Sequence, residues 1–142
     1  MVDKKLEDIF DDEVMEIIFN CAKGIPRNTI SACSLLVDNT NGERVTKTRA
    51  EIILKERFTD RIINDRVDDL ELKRIYKQMM DILKHHFNGT AKSQEDYVKK
   101  VKEMTGIGRN SILLRINDLT KFGIFVQYRG GYNRVNKIIS FS

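Results

Sequence analysis

Side chains suited to meeting a polyanion recur at close spacing in the carboxy-terminal third of this chain. Arg109-Asn110-Ser111 is followed by Arg115, and then by Arg129, Tyr132, Arg134 and Lys137. Guanidinium forks pair bidentately with phosphate or with guanine, and an asparagine amide pairs with adenine. A serine at a helix start suits phosphate better than a base, because the first backbone N–H groups already favour an anion. Arg115 has the best position for base contact, with a surface ion pair as its alternative. Asn110 has a helix cap as its alternative role. For Tyr128 and Tyr132 the alternative is packing across strands.

Charge is distributed to match. Residues 104–142 hold six Lys or Arg and a single acid, Asp118. Residues 93–142 hold nine Lys or Arg against four acids, a balance of +5, whereas residues 1–92 hold sixteen against seventeen, a balance of −1. The whole net charge of +4 therefore arises in the carboxy-terminal third. A one-sided basic surface attracts polyanions and speeds their encounter.

Elements must position these groups. Over 109–122, Ile112, Ile116 and Leu119 recur at helical spacing and predict a core-facing stripe, leaving Asn110, Ser111, Leu114, Arg115 and Asp118 on the opposite side. Gly123 stops this helix. Ile124-Phe125-Val126 begins a strand, Arg129-Gly130-Gly131-Tyr132 reads as a turn that glycine permits, and Val135 to Phe141 runs back. Upstream, a long helix to about Phe87 carries Leu72, Ile75, Met79, Ile82 and Leu83 inward, and Asn88-Gly89 ends it. Ser93 caps a shorter helix with Tyr97, Val98, Val101 and Met104, and Gly106-Ile107-Gly108 turns into the helix at 109. Helix, helix, turn, helix and hairpin is the order of a winged helix-turn-helix. In such a unit the second helix of the pair enters the major groove.

The amino-terminal half reads as helices. Asp11 or Asp12 caps the first, which runs to about Lys23 with Val14, Ile17, Ile18 and Cys21 as its stripe, widened by Met15, Phe19 and Ala22. Gly24 ends it and Pro26 opens the second. That second helix is expected to bury Ile30, Cys33 and Val37. Asn39-Thr40-Asn41-Gly42 reads as a turn. Thr46 and Thr48 are both plausible caps for a third helix, Thr48 with Glu51 having capping-box spacing. Ala50, Ile53, Leu54 and Phe58 form its apolar face. The charged stretch 59–68 is the expected boundary, and its lack of Pro and Gly suits a stiff helical connection. The expected fold is mainly α with a small β-hairpin: a helical bundle over 1–66, then a winged helix over 67–142.

Composition narrows the class further. A 142-residue chain with 41% apolar residues, one Pro and eight dispersed Gly has enough material for a core and no mark of disorder. It has no run of apolar residues long enough to span a bilayer and no apolar leader after Met1, so a cytoplasmic setting without membrane contact is expected. Cys21 and Cys33 lie in apolar helical stretches, where a structural role is expected. The adjacent His85 and His86 point about 100° apart on a helix and do not form an i, i+4 metal pair. No glycine is followed by Lys, so the chain holds no phosphate-binding P-loop. No catalytic residue and no metal site is expected, and the chain alone is not expected to be an enzyme.

Asp11-Asp12-Glu13-Val14 through Gly24-Ile25-Pro26-Arg27, a second helix, and Val45-Thr46 opening a third resemble the lid of an AAA+ ATPase. The order of lid then winged helix is most similar to archaeal origin-recognition initiators and helicase loaders. The resemblance implies a replication role and duplex DNA as partner, together with an ATPase core or other replication proteins. It puts Arg27 at the sensor-2 position, where an arginine reaches the γ-phosphate of ATP bound to the core. The nucleotide-binding core is absent from this sequence. ATP with magnesium is therefore implied only for a longer protein, and this chain needs no cofactor. Two other functions fit the same elements. One is a winged-helix transcription regulator that dimerises through its helical half. The other is a winged-helix protein-interaction module, for which the apolar Leu114 on the exposed side argues.

Overall fold

A computed structural model describes residues 10–41, 43–130 and 136–142. Among them the chain is mainly helical, with one small antiparallel sheet. It divides into two compact units, Met1–Arg66 and Val67–Ser142.

Three helices, α1 (Asp12–Ala22), α2 (Pro26–Thr40) and α3 (Lys47–Arg66), pack against one another in the first unit. Asp11 caps α1 by accepting from the Val14 amide at 2.9 Å, and Lys23 and Gly24 both take positive φ at its end. Val14, Ile18 and Ala22 are buried there, whereas Phe19 is exposed. Pro26 starts α2, where its missing N–H costs no hydrogen bond. The buried face of α2 differs from the expected one. It comprises Asn28, Ser31, Ala32, Leu35, Leu36 and Thr40, while Ile30 is 69% exposed and Cys33 and Val37 are half-buried. At about 100° per residue, Ile30 lies roughly opposite Ala32 and Asn28. Small and polar groups win the inside because α3 supplies partners for them. Leu36 accepts from the Thr40 hydroxyl at 2.8 Å, so residues 39 and 40 finish the helix, and Asn41 makes the left-handed exit.

Thr46 is the cap of α3, its hydroxyl accepting from the Arg49 amide at 3.3 Å. Thr48 lies inside the helix, so the Thr48–Glu51 box does not form. Ala50, Ile53, Leu54 and Phe58 are buried, and the stripe continues through Ile62 and Ile63. Residues 59–66 are thus the last turns of a core helix.

In the second unit, α4 (Leu70–Phe87) starts at Asp69, which accepts from the Leu72 amide at 2.9 Å, and ends at Asn88 with positive φ. Tyr76, Met79, Met80, Ile82 and Leu83 are buried along it, and Leu72 and Ile75 are partly covered. A two-residue strand, β1 (Thr90–Ala91), precedes α5 (Gln94–Thr105), which Ser93 caps and Gly106 ends. Then follow α6 (Arg109–Lys121), β2 (Phe125–Gly130) and β3 (Asn136–Phe141). The sheet order is β1-β3-β2, all antiparallel.

Ile112, Ile116 and Leu119 of α6 are fully buried, each contributing about 1.5–3 kcal/mol of hydrophobic stabilisation. Tyr97 packs edge-on against Phe87 and Phe125, and Phe125 against Phe141. The Tyr97 hydroxyl donates to the Met79 carbonyl at 2.6 Å, and burial pushes its phenol far above the ordinary tyrosine range. Met104, in the last turn of α5, is exposed.

The hairpin departs from its expected form. Arg129 pairs with Lys137 and Gly130 with Asn136, so Arg129 and Gly130, expected in the turn, lie in the ladder. Residues 131–135 are outside the described residues. No helix among the described residues is long and apolar enough to cross a membrane.

Candidate nucleic-acid interface

Helix α6 begins at Gly108 with no side-chain cap. The first N–H groups of a helix have no partner within it, and here no side chain replaces one. Asn110 is therefore an in-helix residue and does not cap. Among the described residues, the Asn110 and Ser111 side chains are exposed and bond to nothing. Asn110, Leu114, Asn117 and Lys121 follow one another at helical spacing, and all are exposed. Leu114 is the apolar centre of this stripe, 52% exposed.

Arg109 at the tip is exposed and holds Glu95 of α5 through both terminal guanidinium nitrogens, Nη2 donating to Oε1 at 2.7 Å. The hydrogen bond to Arg109 keeps the Glu95 carboxyl below its usual range.

Arg115 is not part of the open stripe. Its Nη1 donates to Asp118 at 3.0 Å and to the Tyr76 hydroxyl at 3.3 Å, and Tyr76 in turn donates to Asp118 at 2.6 Å. Its guanidinium carbon stands 6.0 Å from the centre of the Tyr76 ring. Of the two roles expected for Arg115, base contact or ion pair, the structure shows the ion pair, which with Tyr76 ties α6 to α4. Burial, reinforced by the bond to Asp118, raises the Tyr76 phenol above its ordinary value. The network also offsets the one acid of α6, so the stripe presents no unneutralised carboxylate.

Beside α6, alternation along β2 puts Phe125, Gln127 and Arg129 on one face of the ribbon, with Phe141, Ile139 and Lys137 opposite them. Phe125 and Ile139 face the core. Gln127 reaches α6, its Nε2 donating to Thr120 Oγ1 at 2.7 Å and to Asn117 Oδ1 at 3.1 Å. One step further out, Arg129 and Lys137 face each other with no acid bonded to either among the described residues. Tyr128 is exposed on the reverse face, beside Val126. Tyr132 and Arg134 lie outside the described residues.

Among the residues expected to act, Asn110, Ser111 and Arg109 come together at the start of α6, and Arg129 and Lys137 come together on the ribbon. Asn117, Gln127 and Lys121 were not anticipated. Asn117 carried a signal, since it falls seven residues after Asn110 on the same helical face. Gln127 carried none, because its bond to α6 depends on how the ribbon packs.

In the first unit, Arg27 is exposed in the opening turn of α2, in a shallow depression with Ile30, Ser31, Asp65 and Arg66. Burial, then the Arg27 charge, lowers the Arg66 pKa. Cys21 and Cys33 are free and half-buried, and burial raises both thiols. His85 and His86 are exposed. No cluster of three metal-ligating side chains occurs among the described residues.

Comparison with protein-family models, with curated proteins and with solved structures gives no match.

Proposed function

We propose that Val67–Ser142 is a winged helix-turn-helix unit that holds duplex DNA, with α6 as recognition helix and the β2–β3 ribbon as wing. The observation that carries this is the Arg129–Lys137 pair. Like charges directly opposite on neighbouring strands repel. A phosphate between them reverses the sign of that interaction. The pair extends from the ribbon face that Gln127 attaches to α6, and α6 offers there a carboxylate-free stripe of two asparagine amides, a leucine and a lysine. Uncapped amides at Gly108–Ser111 and the hydroxyl of Ser111 suit a second phosphate. Base edges then fall to Asn110 and its neighbours on the stripe.

The amino-terminal unit we take as the lid-like bundle of an AAA+ protein of the origin-recognition or helicase-loader kind. Three packed helices and the exposed Arg27 after Pro26 support that assignment. A γ-phosphate role for Arg27 requires a nucleotide-binding core that this sequence does not contain. Arg27→Ala is accordingly expected to leave DNA affinity of this chain unchanged.

A gel shift with random duplex DNA at low salt tests the main reading. Binding that weakens as salt rises supports it, and no shift at micromolar protein rejects it. The exposed Leu114 favours a second reading, a protein-interaction module, and that same negative gel shift would favour it.

A further inference from the structure

A chain of hydrogen bonds fixes which way one side chain on the stripe must point. The Ile116 carbonyl accepts from the Thr120 hydroxyl at 2.8 Å. A carbonyl has no proton to give, so the single hydroxyl proton is committed there, and Thr120 Oγ1 meets Gln127 as an acceptor. Gln127 must therefore present its NH2 group, which donates to Thr120 at 2.7 Å. That same nitrogen lies 3.1 Å from Asn117, so the Asn117 atom facing it is the acceptor Oδ1. The Asn117 NH2 group is left turned away from β2. Asn117 is exposed, and among the described residues this NH2 has no bond within the chain.

Resting on the duplex-binding reading, we infer that Asn117 is a specificity-determining residue that reads guanine by donation alone. An unconstrained asparagine pairs with adenine through oxygen and nitrogen together. Asn117 is held with its oxygen toward the ribbon, so what it offers a base edge is a pair of N–H donors. Guanine presents two acceptors in the major groove, N7 and O6, whereas adenine and cytosine each present an amino group that would oppose these donors. Gln127 acts as a positioning residue, and Thr120 supports it.

The test is selection of preferred duplexes from a random pool by the full chain and by Asn117→Ala, Asn117→Asp and Gln127→Leu, with affinities then measured on the selected site and its single-base variants. The unaltered chain is expected to prefer guanine at one position by about 5- to 150-fold. Asn117→Ala should flatten that position alone, with the salt dependence unchanged. Asn117→Asp still accepts from Gln127 but turns an acceptor outward, and should shift the preference toward cytosine. Gln127→Leu frees the amide to rotate and should raise adenine. Duplex binding with an unchanged base preference in Asn117→Ala would overturn the inference while leaving DNA binding intact. Failure of the unaltered chain to bind any duplex would overturn both.

Discussion

Helices α2 and α6 open on nearly the same residues, Arg27-Asn28-Thr29 and Arg109-Asn110-Ser111, and neither has a side-chain cap. Their asparagines meet opposite ends. Asn28 is fully buried and accepts from Arg66 at 2.7 Å, and three residues on Ser31 donates to Asp65 at 2.6 Å. Further along α2, Ser34 and Asp38 are held by Arg61. The polar side of α2 is consumed by the arginines and aspartate of α3. Among the described residues of their own unit, no such helix covers Asn110 and Ser111. A short polar motif at a helix start does not declare its role; whether another element covers it decides between scaffold and site.

This contrast can be broken from either side. Reversing charge on the ribbon with Arg129→Glu and Lys137→Glu should have the largest effect. A drop in duplex affinity of about 100-fold at low salt is expected, with the salt slope shallower by roughly two contacts and unfolding unchanged. Fluorescence anisotropy with labelled random duplex measures it, and a loss confined to one sequence would mean the ribbon reads bases. Asn28→Ala should then cost about 1–3 kcal/mol of stability in urea unfolding, because it strips a buried partner from Arg66, with DNA affinity per folded molecule unaltered. The mirror variant, Asn110→Ala with Ser111→Ala, should lower affinity about 10-fold and leave stability equal or slightly higher, alanine being the better helix former. Equal destabilisation by both variants would erase the distinction between the two helices.

Glu95→Gln gives the smallest effect and the opposite sign. It releases the Arg109 fork and removes a negative charge, so duplex affinity should rise about two- to five-fold. Because the Glu95 carboxyl titrates below its usual range, the ion pair is complete at neutral pH and is lost only as pH falls through that lowered value. The gain from Glu95→Gln should accordingly be steady across neutral pH and shrink on strong acidification.

Local rules were most legible where one element decides its own fate. Asp11, Ser93, Asn88 and Gly106 cap or end helices by bonds to their own neighbours, and the stripe Ile112, Ile116 and Leu119 needs only helical spacing to declare a core face. Reading failed where a distant element decides. The apolar Ile30 was exposed because α3 offers arginines and an aspartate to the other side of α2. Strand β1 is two residues long, shorter than any periodicity, and exists because β3 pairs with it fifty positions later. The spacing of Arg115 from Ile112 and Ile116 leaves base contact and ion pair both open, because it says nothing of Tyr76, which approaches from α4. At the site, charge and residue type marked the ribbon and the start of α6, but the link from Gln127 to Asn117 arises only from tertiary packing.

The most direct measurement is the affinity of the full chain for random duplex DNA as a function of salt. With about five phosphates neutralised, log affinity should fall against log salt with a slope of about −4 to −5. An affinity that does not change with salt would contradict a basic ribbon and helix start closing on the phosphate backbone.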